Sequence, residues 1–139
     1  MIERELIKLL QDSIVPDGYK LEEFDEADMY SPKFDTYFEL KCGTIWLPRM
    51  MIERKKYNEL MALTCRHRRY IISTPRGVYS FDLNNIVIPE DWWHLHHIKR
   101  HSTYYNREHL DGETYKEVAF LPLGWAKNIT TQIGWVQGM

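Results

Sequence analysis

The sequence predicts an α/β domain, and three observations carry that expectation. Ile2, Leu6, Leu9, Leu10 and Ile14 recur at spacings of three and four, the apolar stripe of a helix that stops before Pro16-Asp17-Gly18. A run over residues 19–30 leads into the turn residues Ser31-Pro32-Lys33-Phe34-Asp35 and then the β-branched and aromatic TYFELKC segment, which together predict a hairpin. Residues 70–74 and 78–83 flank Pro75-Arg76-Gly77 as a second hairpin.

Between the hairpins, Gly43 and Pro48 bracket a loop, and Met51, Ile52, Tyr57, Leu60, Met61 and Thr64 predict a second helix over residues 49–64. Past residue 83 the periodicity fades. Residues 89–114 receive no element, and the next strand is expected over 115–121. No repeat, low-complexity tract or Pro/Gly/Ser-rich linker divides the chain, so residues 1–139 are expected to form a single domain. A chain of this length can bury roughly two thirds of its unfolded surface.

Hydrophobic residues at 44% and charged residues at 27% are ordinary globular values, which argue against wholesale disorder and against a membrane protein. Cys42 and Cys65 form no CxxC pair. The N-terminal MIERELIKLLQDSI has acids among its apolar residues and no small-residue cleavage site, so it does not read as a signal peptide, and a cytoplasmic location is expected.

The net charge of −2 and pI near 6.3 exclude a global positive field that would attract nucleic acid. The charge is nevertheless segregated. Residues 22–28 carry five acids, whereas residues 49–69 hold Arg49, Arg54, Lys55, Lys56, Arg66, Arg68 and Arg69 against Glu53 and Glu59 alone.

The chemistry concentrates in the first hairpin, where Asp28-x10-Glu39-x-Lys41 crosses one tight turn. Alternation along a strand puts Glu39 and Lys41 on the same face, and folding near residues 31–35 brings Asp28 level with Glu39. Two carboxylates aimed at one point repel unless a cation lies between them, and hard oxygen ligands suit Mg²⁺ or Mn²⁺. Such an ion can activate water and neutralise charge on a phosphate, with Lys41 placed to hold hydroxide or phosphate oxygens. Leu40 between the two charges and Tyr37-Phe38 before them predict a strand buried on one face, where charges need a reason.

The order of helix, acidic strand, turn, Glu-Leu-Lys strand, basic helix and further strand resembles the PD-(D/E)XK nuclease superfamily, with YFELK the most characteristic segment. The resemblance covers a core of about residues 1–83, leaving 84–139 as a C-terminal extension. It implies a restriction-endonuclease-like fold, an α/β core with a central mixed β-sheet flanked by helices, and a metal-dependent nuclease acting on DNA in the cytoplasm of a bacterial cell or phage-infected host, of the kind found in small phage and bacterial proteins of recombination, repair or defence. It also implies Asp28, Glu39 and Lys41 as catalytic residues, Asp28, Glu39 and Leu40 as holders of Mg²⁺ or Mn²⁺, and a homodimer as a plausible assembly. Ala27 stands where the proline before the first acid often occurs. Asp25 and Asp35 remain rival first acids, although Asp35 falls in the expected turn. In similar nucleases an acid from the first helix sometimes completes the site, which leaves Glu3 and Glu5 open here, and a basic residue of the second helix can face it, which nominates Lys56 ahead of Lys55.

Lys55, Lys56, Arg66 and Arg68 are the expected nucleic-acid contacts. A different class, a non-catalytic nucleic-acid-binding or interaction module that keeps the nuclease fold, is the alternative the acidic pI favours. His94, His96, His97 and His101 invite a zinc reading, but no second ligand cluster supplies the spacing and Cys65-Arg66-His67 is isolated. The aromatic and basic residues of 92–105 suit base stacking and phosphate contact, while packing at the core edge is the simpler role for Trp92 and Trp93.

Overall fold

The computed structural model describes residues 1–23, 25–99 and 113–136. Helix α1 (Glu3–Gln11) buries Leu6, Ile7 and Leu10 on one face and carries Glu3 and Glu5 in its first turn, where the helix dipole favours acids. It ends three residues short of the expected Ile14, whose side chain is exposed. At Gly18 a Cβ would lie 2.4 Å from the end of the Met29 side chain and 2.8 Å from Val15 Cγ1, so a larger residue there would have to displace both.

The region expected as one strand over 19–30 is two short strands, β1 (Tyr19–Lys20) and β2 (Met29–Ser31), separated by the acidic loop. β2 pairs antiparallel with β3 (Thr36–Cys42), as the hairpin pattern predicts. β5 (His67–Thr74) lies parallel to β3, and β6 (Gly77–Asp82) folds back antiparallel on β5. With β9 (Lys127–Asn128) at the far edge, the six-stranded order is β1-β2-β3-β5-β6-β9. The central mixed sheet is thus the one the resemblance implies.

The second helix is shorter than expected. Residues 49–53 form strand β4 (Arg49–Glu53), and helix α2 spans only Arg54–Met61. The physical reason is a period of two. Met50 and Ile52 are buried while Arg49, Met51 and Glu53 alternate outward, and the strand is held by β8 (Glu113–Pro122) some seventy residues away. β7 (His94–Lys99), within the stretch that received no element, pairs with the other edge of β8 to complete a three-stranded antiparallel sheet, β4-β8-β7.

Both faces of the main sheet are covered. One packs Phe38, Leu40, Ile71 and Val78 against α1, with Ile129 and Ile133 from beyond residue 83 joining that cluster. The other packs Tyr70, Ile72 and Phe81 against Ile52, Leu60 and Leu121 of β4, α2 and β8. Glu39 and Lys41 rise from this second face, beneath α2 and β4. No helix among the described residues is long and apolar enough to cross a membrane.

Candidate metal and nuclease site

Asp28 sits immediately before β2. The register pairs Met29 with Phe38, so the next step brings Asp28 beside Glu39. The Asp28 N–H donates to the Phe38 carbonyl at 3.0 Å, and its carboxylate accepts the Leu40 N–H at 2.8 Å. Where the β2–β3 ladder ends, the side chain thus receives a main-chain donor that has no strand partner on that side.

Glu39 is the most perturbed acid. Only 15% of its side chain is exposed, and its Oε1 is buried with no hydrogen-bond partner. Burial and then the neighbouring Asp28 carboxylate push its pKa up to about 8, although the Lys56 ammonium opposes the shift. Lys56 approaches Oε1 to 3.9 Å, close enough for an ion pair and too far for a hydrogen bond. It also reaches Glu59 at 3.6 Å and the Glu26 carbonyl at 3.4 Å. Lys55, by contrast, is exposed and lines a separate depression with Asn58 and Lys116.

Lys41 lines the same cavity as Glu39, Lys56 and Glu53, a hollow of about 140 Å³ with room for a few waters at about 30 Å³ each. Burial lowers the Lys41 pKa, and the Glu53 carboxylate acts against that shift. Glu53 is itself held by Lys116 of β8 at 2.7 Å. Under Glu39, Tyr70 occupies the paired position on β5 and donates its hydroxyl to the Met51 carbonyl at 2.9 Å. Sequence reasoning passed over Glu53 and Tyr70. The alternation of Met50 and Ile52 is the signal that finds Glu53.

The structure separates the rival acids. Asp25 is exposed and accepts the Glu22 N–H at 2.9 Å within the acidic loop. Asp35 occupies the turn with φ of 46°, and its carboxylate takes the Tyr30 hydroxyl at 2.7 Å and the Arg66 N–H at 3.0 Å. Of the two helix acids, Glu3 lies against Asp28, and its pKa is raised by burial and then by that carboxylate. Glu5 instead accepts the Ile2 N–H at 3.2 Å. Glu3, Lys20 and Asp28 line a common depression beside the hairpin.

Among the expected nucleic-acid contacts, Arg66 is exposed beside the Asp35 turn. Arg68 has other work. Its Nε donates to the Leu60 carbonyl at 2.8 Å and its Nη2 to the Leu63 carbonyl, satisfying groups at and just beyond the end of α2.

The donor set fits a hard divalent cation. Asp28 and Glu39 provide two carboxylates, Leu40 has only its main-chain carbonyl to offer because its side chain is buried hydrocarbon, and the unsatisfied Glu39 Oε1 lacks the partner a cation would be. Among the described residues no group of three or more His, Cys, Asp or Glu is placed to hold an ion by side chains alone. Carbonyl and water oxygens would therefore complete the shell, as Mg²⁺ readily accepts.

The histidines of β7 serve packing contacts. His94 stacks on Phe120 at 5.7 Å, His96 meets the same ring edge-on at 5.6 Å, and His97 stacks on Tyr115 at 4.9 Å. His101 lies outside the described residues, as do residues 102–105 of the expected base-stacking stretch. Trp92 and Trp93 pack at the edge of the second core cluster, in line with the simpler role expected for them.

No family model matches the sequence. No curated protein matches it either. Among solved structures the chain is similar to Hjc, a Holliday junction resolvase from the archaeal hyperthermophile Archaeoglobus fulgidus, with a TM-score of 0.54, 10% identity, and coverage of 96% of this chain and 95% of that one. At that identity the likeness is one of fold, and the fold of this chain is restriction-endonuclease-like.

Proposed function

We propose that this protein is a divalent-metal-dependent nuclease that hydrolyses phosphodiester bonds of DNA. The observation that carries the reading is the juxtaposition of the Asp28 and Glu39 carboxylates with Lys41 on the Glu39 side of β3, in a fold shared with a Holliday junction resolvase.

Each residue has a definable task. Asp28 and Glu39, with the Leu40 carbonyl, would hold Mg²⁺ or Mn²⁺, and the bound ion supplies a water of lowered pKa and charge neutralisation at the scissile phosphate. The Leu40 N–H keeps Asp28 oriented. Lys41 stands two residues along the same strand face, where its ammonium stabilises hydroxide and the charge gathering on phosphate oxygens. The Glu53 carboxylate helps keep it protonated. Lys56 provides positive charge at Glu39 in the metal-free state. Lys55 and Arg66, both exposed, are left to meet phosphates farther along the substrate.

Incubation with linear, circular, single-stranded and branched DNA in Mg²⁺, Mn²⁺ or EDTA tests the reading. Cleavage of at least one form in either metal, abolished by EDTA, is expected. Intact DNA of every form under all conditions would instead favour the non-catalytic binding module.

A further inference from the structure

The aromatic hollow at the start of β4 has no task in the chemistry above. It measures about 500 Å³ and is lined by Pro48, Arg49, Trp92, His94, Phe120 and Pro122. That size lies within the range of small-ligand pockets. Three of its walls are flat rings, of which Trp92 is backed by Trp125 while His94 and Phe120 stack on one another. Trp92 is stacked on Trp125 at 5.1 Å and 19°, and His94 on Phe120 at 5.7 Å and 24°. A main-chain tether fixes His94 as well, its Nδ1 lying 3.1 Å from the Trp92 carbonyl.

No carboxylate lines this hollow, and its charge is that of one guanidinium. Arg49 lies over the Phe120 ring with its Cζ 4.8 Å from the centroid, is exposed, and makes no ion pair among the described residues. Aromatic faces with one cation at the rim that is paired with no carboxylate among the described residues match a flat, uncharged ring system joined to one negative group, which is the chemistry of a nucleotide. A base inside a duplex cannot present its faces to such walls, so the ligand must be unpaired.

Position links the hollow to the site. Arg49, Met51 and Glu53 share one face of β4, and Met51 and Glu53 line the cavity that contains Glu39 and Lys41. From Arg49 to Glu53 is about 13 Å of strand at 3.3 Å per residue, comparable to about four steps of a stacked nucleic-acid strand.

We propose that the hollow between Trp92, His94 and Phe120 receives an unpaired base of the DNA substrate, with Arg49 on its phosphate, so that the protein prefers DNA with single-stranded character near the cut. This rests on the nuclease reading for its substrate, but its test does not depend on cleavage.

Binding in Ca²⁺ of fluorescein-labelled blunt duplex and of the same duplex with a four-nucleotide single-stranded overhang is measured by anisotropy, with tryptophan fluorescence followed in parallel. Affinity for the overhang substrate is expected to be about tenfold tighter, the scale of one stacked base, with tryptophan emission quenched. Arg49→Ala and His94→Ala, both at exposed positions, are each expected to reduce the preference to within about twofold without changing the melting point. Equal affinities for the two DNAs, a preference that both variants retain, or failure to bind either DNA would each overturn the proposal. Cleavage in Mg²⁺ or Mn²⁺ is scored on the same substrates. Cutting without the preference removes the subsite and leaves the nuclease, whereas the preference without cutting leaves the subsite and removes the nuclease.

Discussion

Asp28 accepts the main-chain N–H of Leu40 at 2.8 Å, so its carboxylate is tied to the strand that carries Glu39 and Lys41. Asparagine keeps a carbonyl oxygen for that bond and removes one of two apposed negative charges. Asp28→Asn should therefore abolish cleavage while leaving the melting point of the metal-free protein unchanged or raised. Asp28→Ala should also abolish cleavage, but should lose about 1–2 kcal/mol of stability because the Leu40 donor is left without its acceptor. Melting curves in EDTA beside a cleavage assay separate the two effects, and full activity in Asp28→Asn would remove Asp28 from the site.

Glu39 makes metal-free stability depend on pH. Its pKa is near 8 in the folded chain against 4.5 for an unperturbed glutamate, so the folded state holds the proton more tightly than the unfolded state. Its contribution is fully present below pH 4.5 and is lost as pH rises from there to about 8. The loss is on the order of 5 kcal/mol. Glu39→Gln, which mimics the protonated acid, should show a flatter decline and a higher melting point than the wild type at pH 8. Identical pH profiles in EDTA would show that Glu39 is not the group responsible.

Much of this site was legible because its logic is local. The period of two along β3 puts Glu39 and Lys41 together, and the turn at residues 31–35 sets Asp28 level with Glu39. The basic helix after the strand brings Lys56 over the site. Long-range pairing hid the rest. β4 read as helix because Ile52 stands eight residues before Leu60, in phase with the apolar face of α2, and only β8 makes Arg49–Glu53 a strand. Glu53 was lost with it. The choice of Glu3 over Glu5 turns on how α1 rotates against the sheet, with Leu6 and Leu10 inward, and Glu3 then faces Asp28. Arg68 looked like part of a basic patch because the sequence cannot show that the carbonyls of Leu60 and Leu63 lie within its reach.

That role for Arg68 separates stability from substrate binding. Arg68→Ala should destabilise the protein by about 2 kcal/mol, the scale of charge-assisted hydrogen bonds to carbonyls, as read by urea denaturation. Lys55→Ala and Arg66→Ala, at exposed positions, should be nearly neutral for folding. Each should instead flatten the log–log dependence of DNA affinity on salt by about one unit for every phosphate the protein no longer neutralises. An unchanged slope in both variants would place the substrate elsewhere on the surface.

The central claim, that Asp28, Glu39 and Lys41 form a phosphodiester-hydrolysing site, is tested most directly by comparing turnover and binding in Lys41→Ala. A lysine that stabilises hydroxide or transition-state charge contributes little to ground-state affinity. Turnover in Mg²⁺ should fall by about two to three orders of magnitude, while affinity for uncut DNA in Ca²⁺ changes by about threefold or less. A wild-type protein that cuts no DNA or RNA in Mg²⁺ or Mn²⁺, together with a Lys41→Ala variant impaired only in binding, would contradict the account.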